Sequence, residues 1–294
     1  MIISASYKTD IPAFYGDWFV RRLRAGYCRM VNPYGRQIYK VALRRDAVDG
    51  FVFWTRNAGP FMDGFDAVRS QGFPFTVQYT ITGFPRVLDA ANIGPDRAIS
   101  HIRRIARTFG PRVCVWRYDP IVLSSLTPAP WHRENFARLA GALEGLVDEV
   151  VVSFMQPYRK TTRNMTVAAQ TGGFEWWDGP NEEKAALLGN LARIAADHKM
   201  TLTLCGQPEL LADGIGEASC IDAVRLSDVA GRPVSAKRKP HRKTCACDAS
   251  RDIGDYDTCP HGCAYCYAVA DRATAKRRFA AHDADGEFLI APRD

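Results

Sequence analysis

The stretch VCVWRYDP (113–120) shows the pattern that decides the fold: a short apolar, β-branched run, then polar residues, then proline. The pattern recurs in IISASYKTDIP (2–12), GFVFWTRNAGP (50–60), FTVQYTITGFP (75–85), VVVSFMQP (150–157) and LTLCGQP (202–208). Such continuous hydrophobicity predicts strands that are buried on both faces, as in a parallel sheet. Because proline cannot donate a hydrogen bond to the ladder, we expect it to end each strand.

Amphipathic segments fill the gaps between these runs. Residues 95–109 carry isoleucines on one face and arginines on the other, and residues 131–147 and 181–198 also carry an apolar face. Alternating strands and helices predict parallel β/α units with right-handed crossovers. Six such units predict an α/β fold, either a (β/α)6 partial barrel or a distorted, TIM-like (β/α)8 barrel. In both, functional side chains lie at the carboxyl ends of the strands.

The pattern stops near residue 230, which predicts two parts. Residues 1–230 are expected to form the barrel domain. Residues 231–294 are expected to form a Cys-rich segment with a terminal helix, packed over the carboxyl ends of the strands. Residues 231–255 are basic and poor in large apolar side chains, so we expect irregular chain that is ordered by metal, with helix resuming at Asp271.

Charge and chain composition narrow the class of partner. The net charge is +7, from 39 Lys and Arg against 32 Asp and Glu, and much of the excess lies in KRKPHRK (237–243) and KRR (276–278). A basic surface favours anionic partners such as nucleic acid or nucleotides. The start of the sequence has no basic leader with an apolar core, and no run is long enough to cross a bilayer. We therefore expect a cytoplasmic protein that does not contact a membrane.

The nine cysteines are unevenly distributed along the chain. Only Cys28 and Cys114 precede residue 200. The other seven are Cys205, Cys220, Cys245, Cys247, Cys259, Cys263 and Cys266. An odd, clustered set in a chain without a secretory signal favours metal ligands over disulfides.

The segment CPHGCAYC (259–266) arranges three of these cysteines as Cys-x3-Cys-x2-Cys. The short spacing brings the sulfurs of Cys259, Cys263 and Cys266 to one side of a tight loop, where His261-Gly262 permits the turn. Three thiolates can hold three irons of a [4Fe–4S] cube and leave the fourth iron without a protein ligand. A vacant coordination position invites a substrate or a second cofactor.

This motif resembles the cluster motif of the radical S-adenosylmethionine (SAM) superfamily, with Tyr265 at the aromatic position. The longer string CPHGCAYCYA is similar to that of the spore photoproduct lyase branch. Two strands, FVFWTRN (51–57) and FTVQYTIT (75–82), also resemble strands of that branch, with Arg-Asn replacing Lys-Ser. Over nearly its full length the chain resembles a bacterial family with an RYDP strand end and a C-terminal cysteine block.

The position of the motif departs from the superfamily pattern. In typical members the motif follows the first strand, whereas here it follows the last. DIGDY (252–256) would lead the loop onto the top of the barrel, as in a circular permutation. A ring closes in space wherever the chain is cut, so the geometry can survive this rearrangement.

The resemblance implies a cofactor, a reaction and partners. It implies that the open iron binds SAM and that reductive cleavage yields methionine and a 5′-deoxyadenosyl radical, which abstracts hydrogen from a substrate. It also implies an electron donor such as a flavodoxin or ferredoxin, and the lyase branch makes nucleic acid or a nucleotide a candidate substrate. Candidate SAM-binding residues are Thr55, Arg56, Thr80, Thr82 and Tyr265, and candidate catalytic residues are Arg117 and Asp119.

The remaining late cysteines leave alternatives open. Cys205, Cys220, Cys245 and Cys247 are enough for a second, closed iron–sulfur or zinc site, although free cysteines are also common buried apolar residues.

Two rival functions remain. In the first, Cys245 and Cys247 bind zinc with Cys263 and Cys266, and the protein is a non-catalytic zinc- or iron–sulfur-stapled barrel that binds nucleic acid. In the second, a hydrolase uses His101, Asp119 and Glu209. The sequence contains no HEXXH pattern or Walker-type loop to support the hydrolase.

Overall fold

The computed structural model describes residues 1–32, 35–239 and 244–292. Part of the basic run KRKPHRK, residues 240–243, therefore lies outside the described residues. The strands are β1 (Ile2–Ala5), β2 (Tyr27–Val31), β3 (Ile38–Ala42), β4 (Gly50–Thr55), β5 (Phe75–Thr80), β6 (Cys114–Ile121), β7 (Glu149–Phe154), β8 (Thr201–Leu204), β9 (Gly216–Glu217) and β10 (Ser250–Asp252).

Eight of these strands form one sheet, in the spatial order β10-β1-β4-β5-β6-β7-β8-β9. All neighbouring pairs in this sheet are parallel. The six apolar runs of the sequence are β1, β4, β5, β6, β7 and β8, so the prediction of an α/β fold built on a parallel sheet is confirmed. From β1 to β8 the spatial order follows the chain order, so successive strands are added in one direction.

The helices are α1 (Ile11–Phe14), α2 (Gly16–Ala25), α3 (Met62–Ser70), α4 (Pro95–Phe109), α5 (Ala129–Leu143), α6 (Arg159–Gly172), α7 (Asn181–Asp197), α8 (Ala223–Ala230) and α9 (Arg272–Ala280). The predicted helix over 95–109 is confirmed, and α7 ends one residue before its predicted boundary. Helix α5 ends four residues early because Glu144 is extended, with ψ of 130°, and Gly145 follows with φ of +73°.

Two predictions about the strands need correction. Strand β6 does not end at Pro120 but runs to Ile121, and its register with β7 is irregular between Tyr118 and Ile121. A register irregularity is where a sheet tolerates a residue that cannot donate a hydrogen bond. The antiparallel hairpin of β2 and β3 was not predicted, because its burial alternates and gives no long apolar run.

Aromatic side chains fill the core between the sheet and helices α2 and α3. Phe19 makes edge contacts with Phe51 and Phe53, and Phe65 stacks on Phe75 at 5.1 Å between ring centroids. Burial of large aromatic rings stabilises this side of the sheet strongly. In the described part of the chain, no helix has both the length and the apolar character needed to cross a membrane.

The Cys-rich segment contributes a strand to the same sheet. Strand β10 pairs in parallel with β1, with Ile2 opposite Ser250 and Ser4 opposite Asp252. The last strand of the chain thus lies beside the first, on the side away from β4. Because β10 is parallel to its neighbour, the chain that leaves it at Ile253 starts from the carboxyl edge of the sheet.

Candidate functional site

The three-cysteine loop is attached to the segment that follows β5. The Ala91 N–H donates to the His261 carbonyl at 3.0 Å, and the Ala264 N–H donates to the Leu88 carbonyl at 2.9 Å. These bonds flank an antiparallel bridge between the two segments at Cys263. Backbone pairing on both sides of this residue fixes the loop above the carboxyl edge of the sheet.

The turn inside the loop depends on glycine, as the sequence predicts. Gly262 has φ of +75°, a conformation that a residue with a Cβ adopts only with strain. A Cβ at this position would also lie 2.5 Å from Cδ of Arg272. The turn therefore allows close packing between the loop and the start of α9.

Asp10 connects the loop to the ends of two strands. Its Oδ2 atom accepts the Arg56 N–H at 2.7 Å and lies 2.8 Å from Nε2 of His261. Its Oδ1 atom accepts the Ala13 N–H at 2.9 Å and caps α1. One buried carboxylate thus joins the segments that follow β1 and β4 to the cysteine loop.

A second buried network lies under the loop. The Arg56 guanidinium pairs with Asp89 at 3.0 Å between Nη1 and Oδ2, and its other nitrogen contacts the Tyr265 hydroxyl. Tyr265 and Thr82 both donate to the Asp89 carboxylate, Thr82 at 2.9 Å. Burial raises the pKa of Tyr265 well above its usual value, so its hydroxyl is a donor at neutral pH.

The three cysteine side chains line one cavity of about 220 Å³ at the carboxyl edge of the sheet. Burial raises the pKa of all three thiols, that of Cys263 to about 12. The Asn92 amide lies 3.7 Å from the Cys263 sulfur. A thiol in such surroundings is ionised by binding a metal rather than by its neighbours.

Most of the residues predicted to bind the cofactor or to be catalytic line the same cavity. They are Thr55, Arg56, Thr80, Arg117, Asp119 and Tyr265. Thr82 is the exception: it lies on a neighbouring cavity of about 120 Å³ and points to Asp89. The structure thus brings six of the seven predicted residues to the cavity that the three cysteines line.

The guanidinium group of Arg117 already donates hydrogen bonds to other side chains of the protein. Its Nε lies 3.2 Å from Asp119 Oδ2, and its Nη1 lies 3.1 Å from Gln78 Oε1 and 2.9 Å from the Cys220 sulfur. Asp119 also accepts a hydrogen bond from Ser153. Asp119 therefore places an oriented carboxylate at the cavity. Arg117 holds this carboxylate in position.

The other four late cysteines form a separate group. The sulfurs of Cys205 and Cys220 are 3.7 Å apart, and Cys247 hydrogen bonds with both Cys220 and Cys245. Hydrogen bonds from Cys205, Cys247 and Arg117 lower the pKa of Cys220. The structure therefore groups Cys245 and Cys247 with these two cysteines and not with the cysteines of the loop.

A single ion and a [4Fe–4S] cube place different demands on the ligand side chains. Within residues 1–32, 35–239 and 244–292, no three His, Cys, Asp or Glu side chains are arranged to hold one metal ion. A cube has a different requirement, because each thiolate binds its own iron and the ligand sulfurs stand farther apart than around one ion. Three soft donors from one loop fit a cube better than a single ion.

The loop also has an outer face. All three cysteines line a second cavity of about 560 Å³, which α6 and the start of α9 border. Arg163 and Arg272 lie on this side, and each donates to a backbone carbonyl near the loop. The cysteine loop is therefore a thin wall between the inner cavity and an outer surface that carries these two arginines and Asp271.

The site residues predicted from the sequence do not include several side chains that hold the loop. Asp10 had a sequence signal, since it follows a predicted strand and precedes proline. His261 lies inside the motif, but the sequence does not reveal its carboxylate partner. Asp89 and Asn92 lie in a long connection after β5, where no local pattern marks them.

These features define an α/β protein whose cysteine loop lies at the carboxyl edge of a parallel sheet. The family described as "Domain of unknown function (DUF1848)" matches residues 2–268, so the chain belongs to this family. None of the curated proteins matches the sequence. Three chains of solved structures match; one is described as "Crystal structure of D-hydantoinase", with 10% identity and a TM-score of 0.34 over 72% of this chain and 43% of that chain. This chain thus spans less than half of that structure, and a likeness this distant carries no argument about function.

Proposed function

We propose that this protein is a radical SAM-like iron–sulfur enzyme whose [4Fe–4S] cluster is held by Cys259, Cys263 and Cys266. The observation that carries the proposal is that the three thiols face one cavity at the carboxyl edge of the parallel sheet. When bound, such a cluster supplies an open iron for the amino and carboxylate groups of SAM and the electron that breaks its carbon–sulfur bond to give a 5′-deoxyadenosyl radical.

We also propose that the sheet is the wall of a partial barrel. Its strands are added in one direction from β1 to β8, as in a singly wound barrel, rather than outward from a central strand. In a partial barrel the cofactor loop lies over the strand ends. The pairing of β10 with β1 supports this proposal, because the chain that carries the displaced motif leaves the sheet beside the first strand.

The chain's own residues would bind and orient SAM. Arg56 carries a buried positive charge beside the loop, and Asp89 and Tyr265 hold it in one orientation. This charge suits the SAM carboxylate. Thr55 and Thr80 would add hydroxyl contacts from the neighbouring strand ends.

Asp119 has a different role in this proposal. Arg117 and Ser153 fix its carboxylate at the cavity that the three cysteines also line. A fixed carboxylate is a good acceptor for the two ribose hydroxyls of SAM. The apolar side chains of Phe154 and Met155 line the same cavity and would exclude water from a radical.

The proposed partners follow from the charge of the surface. The outer face of the loop carries Arg163 and Arg272 against Asp271, and this excess of positive charge suits an acidic flavodoxin or ferredoxin as electron donor. The net charge of +7 and the resemblance to the lyase branch support nucleic acid or a nucleotide as the substrate class, in a cytoplasmic enzyme.

The decisive experiment is anaerobic reconstitution with iron and sulfide, followed by dithionite and SAM. We expect a brown protein that releases 5′-deoxyadenosine. A protein that loads the cluster but leaves SAM intact would contradict the enzyme and favour the non-catalytic, stapled barrel that binds nucleic acid. A colourless protein after reconstitution would contradict the cluster itself.

A further inference from the structure

A second group of four cysteines lies outside the loop. Cys205 follows β8, Cys220 precedes α8, and Cys245 and Cys247 belong to the Cys-rich segment. Three stretches that are distant in sequence thus bring four thiols together. Apolar side chains, including Val52, Ile221 and Leu226, surround the group.

One pair of sulfurs in the group has the spacing of ligands around a single ion. Cys205 and Cys220 are 3.7 Å apart between sulfurs. A tetrahedral zinc ion with Zn–S bonds of about 2.3 Å has ligand sulfurs about 3.8 Å apart. Thiolates of a cube bind different irons and stand farther apart. The contacts continue as a series, from Cys220 to Cys247 and from Cys247 to Cys245.

Neighbouring groups are suited to a cluster of thiolates. The Arg117 guanidinium donates to the Cys220 sulfur at 2.9 Å, and the Ile221 N–H donates to the Cys247 sulfur at 3.5 Å. Four thiolates and one Zn²⁺ carry a charge of −2, which a buried guanidinium partly offsets. Hydrogen bonds from a second layer of groups orient metal ligands and tune their charge.

We propose that Cys205, Cys220, Cys245 and Cys247 form a closed, structural zinc site that is separate from the loop cysteines. Binding requires the four side chains to rotate about their Cα–Cβ bonds, because in their present orientation no three of them surround one point. The site would join the Cys-rich segment to the end of β8 and the start of α8. It would thereby hold β10, and hence the loop that follows it, against the sheet.

The test is metal analysis of full-length protein, with each group of cysteines removed in turn. A variant with Cys259→Ala, Cys263→Ala and Cys266→Ala should retain about one zinc per chain and no iron. Cys247→Ala should lose that zinc. Cys28→Ala, which removes a buried cysteine outside both groups, should keep the wild-type content of both metals.

A titration with Co²⁺ does not depend on the folding of a site variant. Added to the metal-free triple loop variant, Co²⁺ should give the visible absorption of tetrahedral cobalt thiolate at about one equivalent, and Zn²⁺ should bleach it. Three outcomes would overturn the zinc site: no zinc in the purified protein and no cobalt spectrum, zinc that survives Cys247→Ala, or iron that persists in the triple variant. None of them depends on whether SAM is cleaved.

Discussion

The two cysteine groups of this protein use the same ligand type in opposite ways. The loop group comes from eight consecutive residues and lines two cavities, one inside the sheet edge and one outside. The other group comes from three distant segments and is packed among apolar side chains, with Cys205 alone reaching the inner cavity. Ligands that come from one short loop leave space beside the metal site. Ligands that come from several segments would enclose the metal site on all sides.

This difference bears on what each group can do. Metal sites with an open position take part in reactions, and sites with every position filled stabilise folds. Both groups lie next to a buried arginine that pairs with an aspartate: Arg56 with Asp89 at the loop and Arg117 with Asp119 at the other group. Each group therefore has a buried ion pair beside it, and the groups differ in accessibility.

The largest expected effect is the loss of iron when a loop cysteine is removed. Cys266→Ala should lower the iron content of reconstituted protein from about four per chain to near zero. The sheet should still fold, because its core comes from other segments. Iron and sulfide assays beside far-ultraviolet circular dichroism measure both effects. A Cys266→Ala protein with its full iron content would mean that the cluster ligands lie elsewhere. Cys28→Ala is the matched control and should keep the wild-type iron content.

The next effect concerns the arginine at the loop. Arg56→Met leaves the buried Asp89 carboxylate without its ion pair, which should lower the free energy of unfolding by about 3–5 kcal/mol. Asp89→Asn in the same chain should recover part of this loss, because the unpaired charge is gone. Urea denaturation of the apoprotein measures both values.

Arg44→Met is the control for this experiment, since its pair with Asp46 is exposed and should contribute little. If Arg56→Met is no more destabilising than Arg44→Met, the Arg56–Asp89 pair does not hold the segment under the loop.

The sequence predicts the strands well because each is buried on both faces and so reads as one apolar run. It also predicts that residues after β4, β5 and β6 share an edge, since parallel strands end on the same side. This reasoning predicts that Thr55, Thr80 and Asp119 lie close together, and all three line the cavity. It did not predict where a hydroxyl or guanidinium points: Thr82 donates to Asp89, seven residues further along the same connection, and Arg117 donates to Cys220 of a distant segment.

Long-range pairing is what the sequence could not supply. The partnership of His261 with Asp10 joins residues 251 positions apart, and the bridge at Cys263 depends on a connection without periodicity. The pairing of β10 with β1 also could not be predicted from the sequence, because β10 is only three residues long and shows no strand pattern. Composition predicted irregular chain there, whereas hydrogen bonding to β1 makes part of it a strand.

The third expected effect tests acid sensitivity in the core, away from both cysteine groups. Acid releases metal from thiolates, so the response of the sheet to pH needs a separate reporter. His132 is buried, with Nδ1 2.8 Å from the Tyr118 hydroxyl and Nε2 3.0 Å from the Val122 carbonyl. Burial lowers its pKa from 6.5 to about 4.

The sign of the effect follows from where the proton binds. Between pH 4 and 6.5 the unfolded chain binds a proton at His132 that the folded chain excludes, so stability rises with pH across this window and then levels off. The full change is about 3 kcal/mol, at about 1.4 kcal/mol per pH unit. His132→Gln, which does not titrate, should flatten the profile of apoprotein unfolding. An unchanged slope in this variant would assign the acid sensitivity to other groups.

The smallest expected effect tests the outer face of the loop as the route for electrons. Arg163 is exposed on α6 and lines the outer cavity beside the three cysteines. Arg163→Glu should slow reduction of the cluster by an acidic flavodoxin by roughly threefold to tenfold at low salt, because charges at a docking surface act on association. Reduction by dithionite should not change.

Arg103→Glu on α4 makes the same change of charge on an exposed residue that lines neither cavity. If both variants slow the flavodoxin reaction equally, the effect is one of net charge and the outer face of the loop is not the docking site. If only Arg163→Glu does, and added salt removes the difference, electrons arrive through the outer side of the loop while SAM is bound on its inner side. That division of faces is available to the loop cysteines because they form a wall between two cavities, and it is not available to four thiols packed among apolar side chains.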